Sequence, residues 1–191
     1  MTRFATPTPC TTADPPLEAN VLAATDEDRT LVLELALGRV SMEEFRARYR
    51  SVPPESVSSK LALLQDAAQS ARGADVECAM LLCTLFGGFT TEHVGILCEL
   101  LLSRSHSRHE DVALALEDLR DERSVEALYH GALMKHEYLS HDDSHALARK
   151  CTWALARIGT PTARAKLEAL GKCGDAVVEG YADKRLRDWR A

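Results

Sequence analysis

From residue 25 onward the apolar residues of this chain recur at spacings of three and four, the period of a helix with one buried face. Leu31, Val32, Leu35 and Ala36 make the first such face. The acids Asp26, Glu27 and Asp28 before them suit the positive end of a helix, and Gly38 closes it. Ser41-Met-Glu-Glu44 has the spacing of a capping box and opens a short helix with Phe45 and Tyr49 on one side. Val52-Pro53-Pro54 then breaks the chain. Residues 55–72 carry Val57, Leu61, Leu64, Ala68 and Ala71 in step, and Gly73 is expected to stop that helix. Residues 74–86 are almost wholly apolar, which predicts burial on most sides up to Gly87-Gly88.

The second half continues in the same way. Thr90 is placed to cap a helix holding Val94, Leu97 and Leu101. Ser107-Arg-His-Glu110 reads as a second capping box, ahead of Val112, Leu116 and Leu119. Ser124 is expected to cap the helix of Val125, Leu128, Ala132 and Leu133. Asp143 or Ser144 opens a helix to Ile158, and Pro161 follows Thr160 at the favoured first helical position. Gly171 ends that helix. Asp175 caps a last one to about Trp189, with Val178, Ala182 and Leu186 inward and the basic Lys184, Arg185 and Arg187 at its negative end. Residues 1–24, with four prolines and five threonines and no apolar period, are expected to be a flexible lead.

Two stretches share a register. Ala115-Leu116-Glu117-Asp118-Leu119 sets over Ala154-Leu155-Ala156-Arg157-Ile158, and Leu128 then falls on Leu167, a step of 39. Upstream, at a step of 34, Leu82, Leu85 and Val94 take the places of Leu116, Leu119 and Leu128. The difference fits a longer connection around residues 136–143. A period of roughly 35–45 residues with two helices per unit implies stacked hairpins, because one amphipathic hairpin cannot bury its stripe alone. The fold expected is all-α: a short right-handed α-solenoid of helical hairpins, one domain over residues 25–191 after the lead of residues 1–24.

The residues Val112-Ala-Leu-Ala-Leu-Glu-Asp-Leu-Arg-Asp-Glu-Arg-Ser-Val-Glu-Ala-Leu128 resemble a HEAT repeat of the short bacterial kind, also found in phycobilin-lyase-like proteins. Residues 148–167, through Ile158-Gly-Thr-Pro161, do the same. The resemblance covers about 100 residues. It implies a binding scaffold more than a chemistry, since a fold does not fix a function. Leu119-Arg-Asp-Glu departs from the pattern by lacking the turn glycine that Gly159 supplies in the next unit.

Charge narrows the partners. The chain carries −6 overall, but residues 1–148 hold −11 and residues 149–191 hold +5. An acidic body argues against nucleic acid, which needs concentrated Lys and Arg, and suits a basic protein. Six cysteines lack any C-x-x-C pair and read as free thiols of a reducing compartment. No apolar run of about 18 residues and no signal-type start are present, so a cytoplasmic chain without a membrane span is expected.

All seven histidines fall between His93 and His145. His141-Asp-Asp-Ser-His145 has the four-residue spacing that zinc sites use, although Asp142 and Asp143 are also simple capping candidates. Deoxyhypusine hydroxylase, a HEAT-repeat enzyme, holds iron with His-Glu dyads. His109-Glu110 and His136-Glu137 resemble those dyads, but they stand at non-equivalent places in the repeat. No phosphate loop and no nucleophile elbow occurs. The expectation is therefore a protein without a cofactor, and a metal-dependent hydroxylase-like enzyme is the alternative.

The reading that remains is a non-enzymatic protein-binding module. Insertions of repeat proteins gather on one face, often the binding face, and here that is the segment from Lys135 to Asp143. The expected contact residues are Glu126, Tyr129, His136, Glu137, Tyr138, His141, Asp142 and Asp143. The acidic strip Glu110, Asp111, Glu117, Asp118, Asp121, Glu122 and Glu126 would add a docking patch. Small acidic HEAT-like proteins resemble bacterial immunity or antitoxin proteins, which implies a basic toxin as partner; a general scaffold or adaptor is the other reading.

Overall fold

A computed structural model describes residues 25–70, 72–139 and 144–189. The lead of residues 1–24, and with it Cys10, lies outside them, as do Ala71, Ser140, His141, Asp142 and Asp143. The described residues are helical, without a strand. Ten α-helices follow in order: α1 (Asp26–Ala36), α2 (Met42–Arg48), α3 (Val57–Ser70), α4 (Gly73–Leu85), α5 (Val94–Leu102), α6 (His109–Leu119), α7 (Val125–Leu133), α8 (Ala146–Ile158), α9 (Pro161–Leu170) and α10 (Ala176–Arg187). Short 3-10 turns cover Thr91–His93, Glu122–Ser124 and Glu137–Leu139.

Caps read from the sequence form where a side chain meets its own backbone. Ser41 and Glu44 exchange bonds at the start of α2, at 3.1 and 2.8 Å. Thr160 accepts from the Ala163 amide at 3.3 Å with Pro161 behind it. Asp175 accepts from Val177 and Val178 at 3.1 and 3.4 Å. Phe45 is fully buried, with its ring stacked 4.6 Å from Tyr49.

Other expectations need correction. Gly73 does not stop α3, which ends at Ser70; it opens α4, one residue before the expected start at residue 74. The inward line of α3 is Lys60, Leu64 and Ala67, with Leu61 and Ala68 only half-buried, and Lys60 is admitted because its ammonium reaches Gly88 O at 2.9 Å. Ser107 and Glu110 make no capping box: α6 starts at His109 without a side-chain cap. Ser124 is fully buried and donates its hydroxyl to Asp121 O at 2.7 Å, while the Asp121 carboxylate takes the orphan Arg123 amide at 2.9 Å. Neither Asp143 nor Ser144 stands at the start of α8; its N-cap is His145, with a left-handed backbone at φ +46°.

Packing follows the register. α6 lies against α8 and α8 against α10, while α3 lies against α5, α5 against α7 and α7 against α9. The step of 39 holds at several levels. Asp121 and Thr160 both cap, and Leu116, Leu128, Leu155 and Leu167 are all fully buried. Each such leucine contributes about 1.5–3 kcal/mol on burial. Arg120 and Gly159 also correspond, and both sit in the left-handed region, at φ +50° and +74°. The turn demands that conformation in both units, and the missing glycine of the first is met by a strained arginine.

The upstream unit keeps the step of 34 only in its first helix. α4 ends at Leu85 and α6 at Leu119, but α5 starts at Val94 and α7 at Val125, a step of 31. The buried set Val94, Ile96, Leu97, Leu100 and Leu101 repeats as Val125, Ala127, Leu128, Gly131 and Ala132. Leu97, not Val94, is therefore the counterpart of Leu128. The three extra residues lie between α4 and α5, where residues 86–93 hold the Gly87-Gly88 bend.

Candidate functional site

The connection between α7 and α8 spans residues 134–145, twice the length of the one between α5 and α6 at residues 103–108. Beside it a groove of about 530 Å³ opens between α7, α8 and α10. Its apolar lining includes Leu133, Met134, Leu139, Leu147 and Val178. Leu133 is 39% exposed at the end of α7, as is Leu102 at the matching end of α5. The polar rim is Lys135, His136, His145 and Asp175, with Asp175 carrying Lys135 and His145 each at 3.6 Å. An apolar floor with a few convergent polar groups is the form that binding clefts take.

The expected contact residues divide into two groups. Glu126 and Tyr129 sit on α7, away from the connection in sequence. Glu126 pairs with Lys166 at 2.6 Å and His130 at 3.0 Å, and the Lys166 ammonium lies 4.6 Å from the centre of the Tyr129 ring. His136 and Tyr138 belong instead to a stack of rings. His106 lies 4.2 Å from His109, and His109 lies 3.8 Å from His136. Glu137 is exposed between them. His141, Asp142 and Asp143 fall in the undescribed part of the connection.

The ring stack has a structural origin that the sequence hides. α5 ends with carbonyls that no helix residue can satisfy. His106 donates Nε2–H to Leu100 O at 2.8 Å, and its Nδ1 accepts the Arg108 amide at 3.0 Å. His109 donates Nε2–H to Ser103 O at 2.6 Å. Its Nδ1 then carries no proton and accepts the Tyr138 hydroxyl at 2.8 Å. His93 also donates to a main-chain carbonyl, Val57 O at 3.2 Å, but at the start of α3 and not at a helix C-terminus. Burial drives the His109 pKa down to about 4, with the neighbouring His106 and His136 adding to the effect against the bond to Ser103 O. Burial and, next, the Arg104 charge also lower His136; burial lowers His106. Burial pushes the Tyr138 phenol up to about 12, so it stays a donor.

This geometry bears on the metal reading. Among the described residues no group of three or more His, Cys, Asp or Glu side chains converges for a metal ion. The three stacked imidazoles illustrate why. Lone pairs lie in the ring planes, and planes inclined by only 17° and 35° do not point theirs at one spot. Both His109 nitrogens are already bonded, and Glu110 turns to Lys150 at 3.2 Å.

The acidic strip is largely answered from within the chain. Besides Glu110 with Lys150, Glu117 meets Arg157 at 3.9 Å and Glu126 meets Lys166. Asp111 holds Arg108 at 2.8 Å and Asp121 holds Arg123 at 2.6 Å. Asp118 and Glu122 are exposed and make no ion pair among the described residues.

Sequence reasoning missed His106, Leu133, Leu147, Asp175 and Val178 as parts of one site. Leu147 and Val178 look like ordinary core positions of their helices, and only the groove between those helices distinguishes them. The five described cysteines are free, and burial pushes the thiols of Cys83 and Cys151 up to about 12. Among the described residues no helix is long and apolar enough to cross a membrane. Comparison with family models, with curated proteins and with solved structures finds no match for this chain.

Proposed function

We propose that this chain is a non-enzymatic protein-binding module, a short right-handed solenoid of HEAT-like hairpins that holds a segment of a partner protein in the groove beside residues 134–145. The observation that carries the reading is the groove itself. An exposed leucine, a methionine and buried aliphatic side chains are rimmed by charges of both signs, next to the longest connection between consecutive helices. In its most concrete form the module is an immunity or antitoxin protein that binds a cognate toxin and blocks it. With Glu110, Glu117 and Glu126 turned to internal bases, Asp118, Glu122 and Glu137 are the acids available to steer a basic partner.

The test uses the full chain as bait in a lysate of its source organism, beside the variant Leu133→Glu. Leu133 is exposed enough for the variant to fold, which circular dichroism checks. A stoichiometric partner held by the parent and lost from the variant supports the groove as the site. If that partner arrests bacterial growth when expressed alone and not when co-expressed with this chain, the immunity reading stands. A harmless partner favours an adaptor. A partner retained equally by both baits removes the groove from the argument.

A further inference from the structure

A second site lies in the basic C-terminal part, where α8 meets α10. The Arg185 side chain is 95% withdrawn from solvent, since its residue is only 5% exposed. Its guanidinium carbon sits 3.7 Å from the centre of the Trp153 indole, a cation–π stack. Yet Nε has no hydrogen-bond partner, and no carboxylate among the described residues lies within ion-pair distance. The aromatic face offsets only part of the cost of desolvating the charge, and Asp188 of the same cleft attracts it from beyond ion-pair distance without supplying the missing hydrogen bond. Native structures rarely leave such a group without a reason.

A cleft of about 260 Å³ reaches this guanidinium, lined by Trp153, Ala156, Arg157, Arg185, Asp188 and Trp189. Trp153 is 44% exposed, and the same repeat position one unit earlier holds Leu114, 46% exposed. The position therefore faces outward by design of the register, and here it carries the residue type most enriched in binding hot spots. The cleft is smaller than the roughly 300–1,000 Å³ of small-molecule sites, which suits one side chain or one chain end. Arg157 already meets Glu117 at 3.9 Å, so Arg185, with Asp188 in the same lining, is the cation the cleft offers, and one planar guanidinium matches a single carboxylate better than a doubly charged phosphate.

We propose that the Trp153–Arg185 cleft binds a carboxylate of a peptide segment, with Arg185 forking onto the carboxylate and the two indoles packing against the group that bears it. The site is independent of the groove at residues 134–145 and of the reading built on it.

The test exploits the chain's own composition. Its two tryptophans both line the cleft, so tryptophan emission reports on this site alone. The full chain is titrated with a short uncharged peptide ending in a free carboxylate, with the same peptide amidated, with an amidated peptide carrying one glutamate, and with inorganic phosphate. A saturable change with the free-carboxylate or the glutamate peptide, absent with the uncharged amide, supports the site and says whether a chain end or a side chain is taken. Arg185→Gln is expected to weaken that binding at least tenfold. Should Arg185→Gln fail to fold, the exposed Arg157→Gln carries the comparison with a loss of about threefold. Equal binding of the uncharged amide, binding of phosphate alone, or no saturable change up to millimolar peptide overturns the proposal.

Discussion

Lys150 stands 3.2 Å from Glu110, forty residues before it, and the same step separates two further ion pairs: Glu117 with Arg157 and Glu126 with Lys166. One structural unit plus one residue carries each acid to a base on the helix that stacks against it. Part of the acidic body and basic end of the sequence is thus one internal ladder. Exposed pairs of this kind are worth little singly, and less in high salt. Lys150→Glu is therefore expected to lower stability by about 1 kcal/mol, and the double change with Glu110→Lys to restore most of it. Urea unfolding at low and at high salt measures both, and no recovery in the double variant would sink the ladder.

Arg120 pays for its left-handed backbone with strain that Gly159 avoids at the matching turn. Arg120→Gly should raise stability by about 1 kcal/mol, and Gly159→Ala should lower it by about as much. Thermal unfolding of the two variants gives opposite shifts of the midpoint; shifts of the same sign would contradict the equivalence of the turns.

His109 gives the fold a dependence on acid. Its folded pKa of about 4 lies below the ordinary 6.5, so between those values the unfolded chain binds a proton that the folded chain refuses. Stability is then complete above pH 6.5 and falls as the pH drops toward 4, by up to about 3 kcal/mol from this group. His106 and His136 shift in the same direction. His109→Gln should flatten the slope of the urea midpoint against pH in that window, and an unchanged slope would move the effect elsewhere.

Tyr138→Phe isolates one bond of the stack. The ring remains while the hydroxyl that serves His109 Nδ1 is lost, leaving a buried acceptor bare. The expected cost is about 1–3 kcal/mol, read by chemical denaturation. Because this residue holds the connection in place, its loss would also weaken partner binding indirectly, which is why Leu133 is the cleaner probe.

Gly131 tests the packing of the second helices. A Cβ there would meet Leu101 at 3.2 Å and the Cys151 sulfur at 3.3 Å, both fully buried and unable to retreat. Gly131→Val is expected to cost about 1–3 kcal/mol through overpacking. A variant as stable as the parent in urea would show that α5, α7 and α8 are less tightly joined than this contact implies.

Periodicity alone carried the helices, because Leu116, Leu128, Leu155 and Leu167 face one core and their spacing is local. Caps were legible where donor and acceptor are neighbours in the chain, as at Ser41, Thr160 and Asp175. Ser107 misled for a non-local reason: His106 and His109 are drawn onto the carbonyls ending α5, the His106 ring takes the Arg108 amide, and α6 then begins at His109, one residue later than a cap at Ser107 would start it. The candidate site was half legible. The length of the connection pointed to residues 135–143, but the groove floor comes from three helices whose inward residues look alike in sequence. Arg185 was invisible in the same way, since a basic residue near a helix end reads as a solvated charge until its burial is seen.

The turns between paired helices differ in length: eight residues between α4 and α5, five between α6 and α7, two between α8 and α9. In a chain of look-alike hairpins the hazard is exchange, one helix taking another's seat. Two residues leave α8 almost no choice but α9, whereas the twelve residues before α8 let that pair search more widely. Unequal turns thus give each helix an address, and the step of forty between acids and bases checks it. A circularly permuted or duplicated version with uniform turns would keep every buried leucine and lose that address.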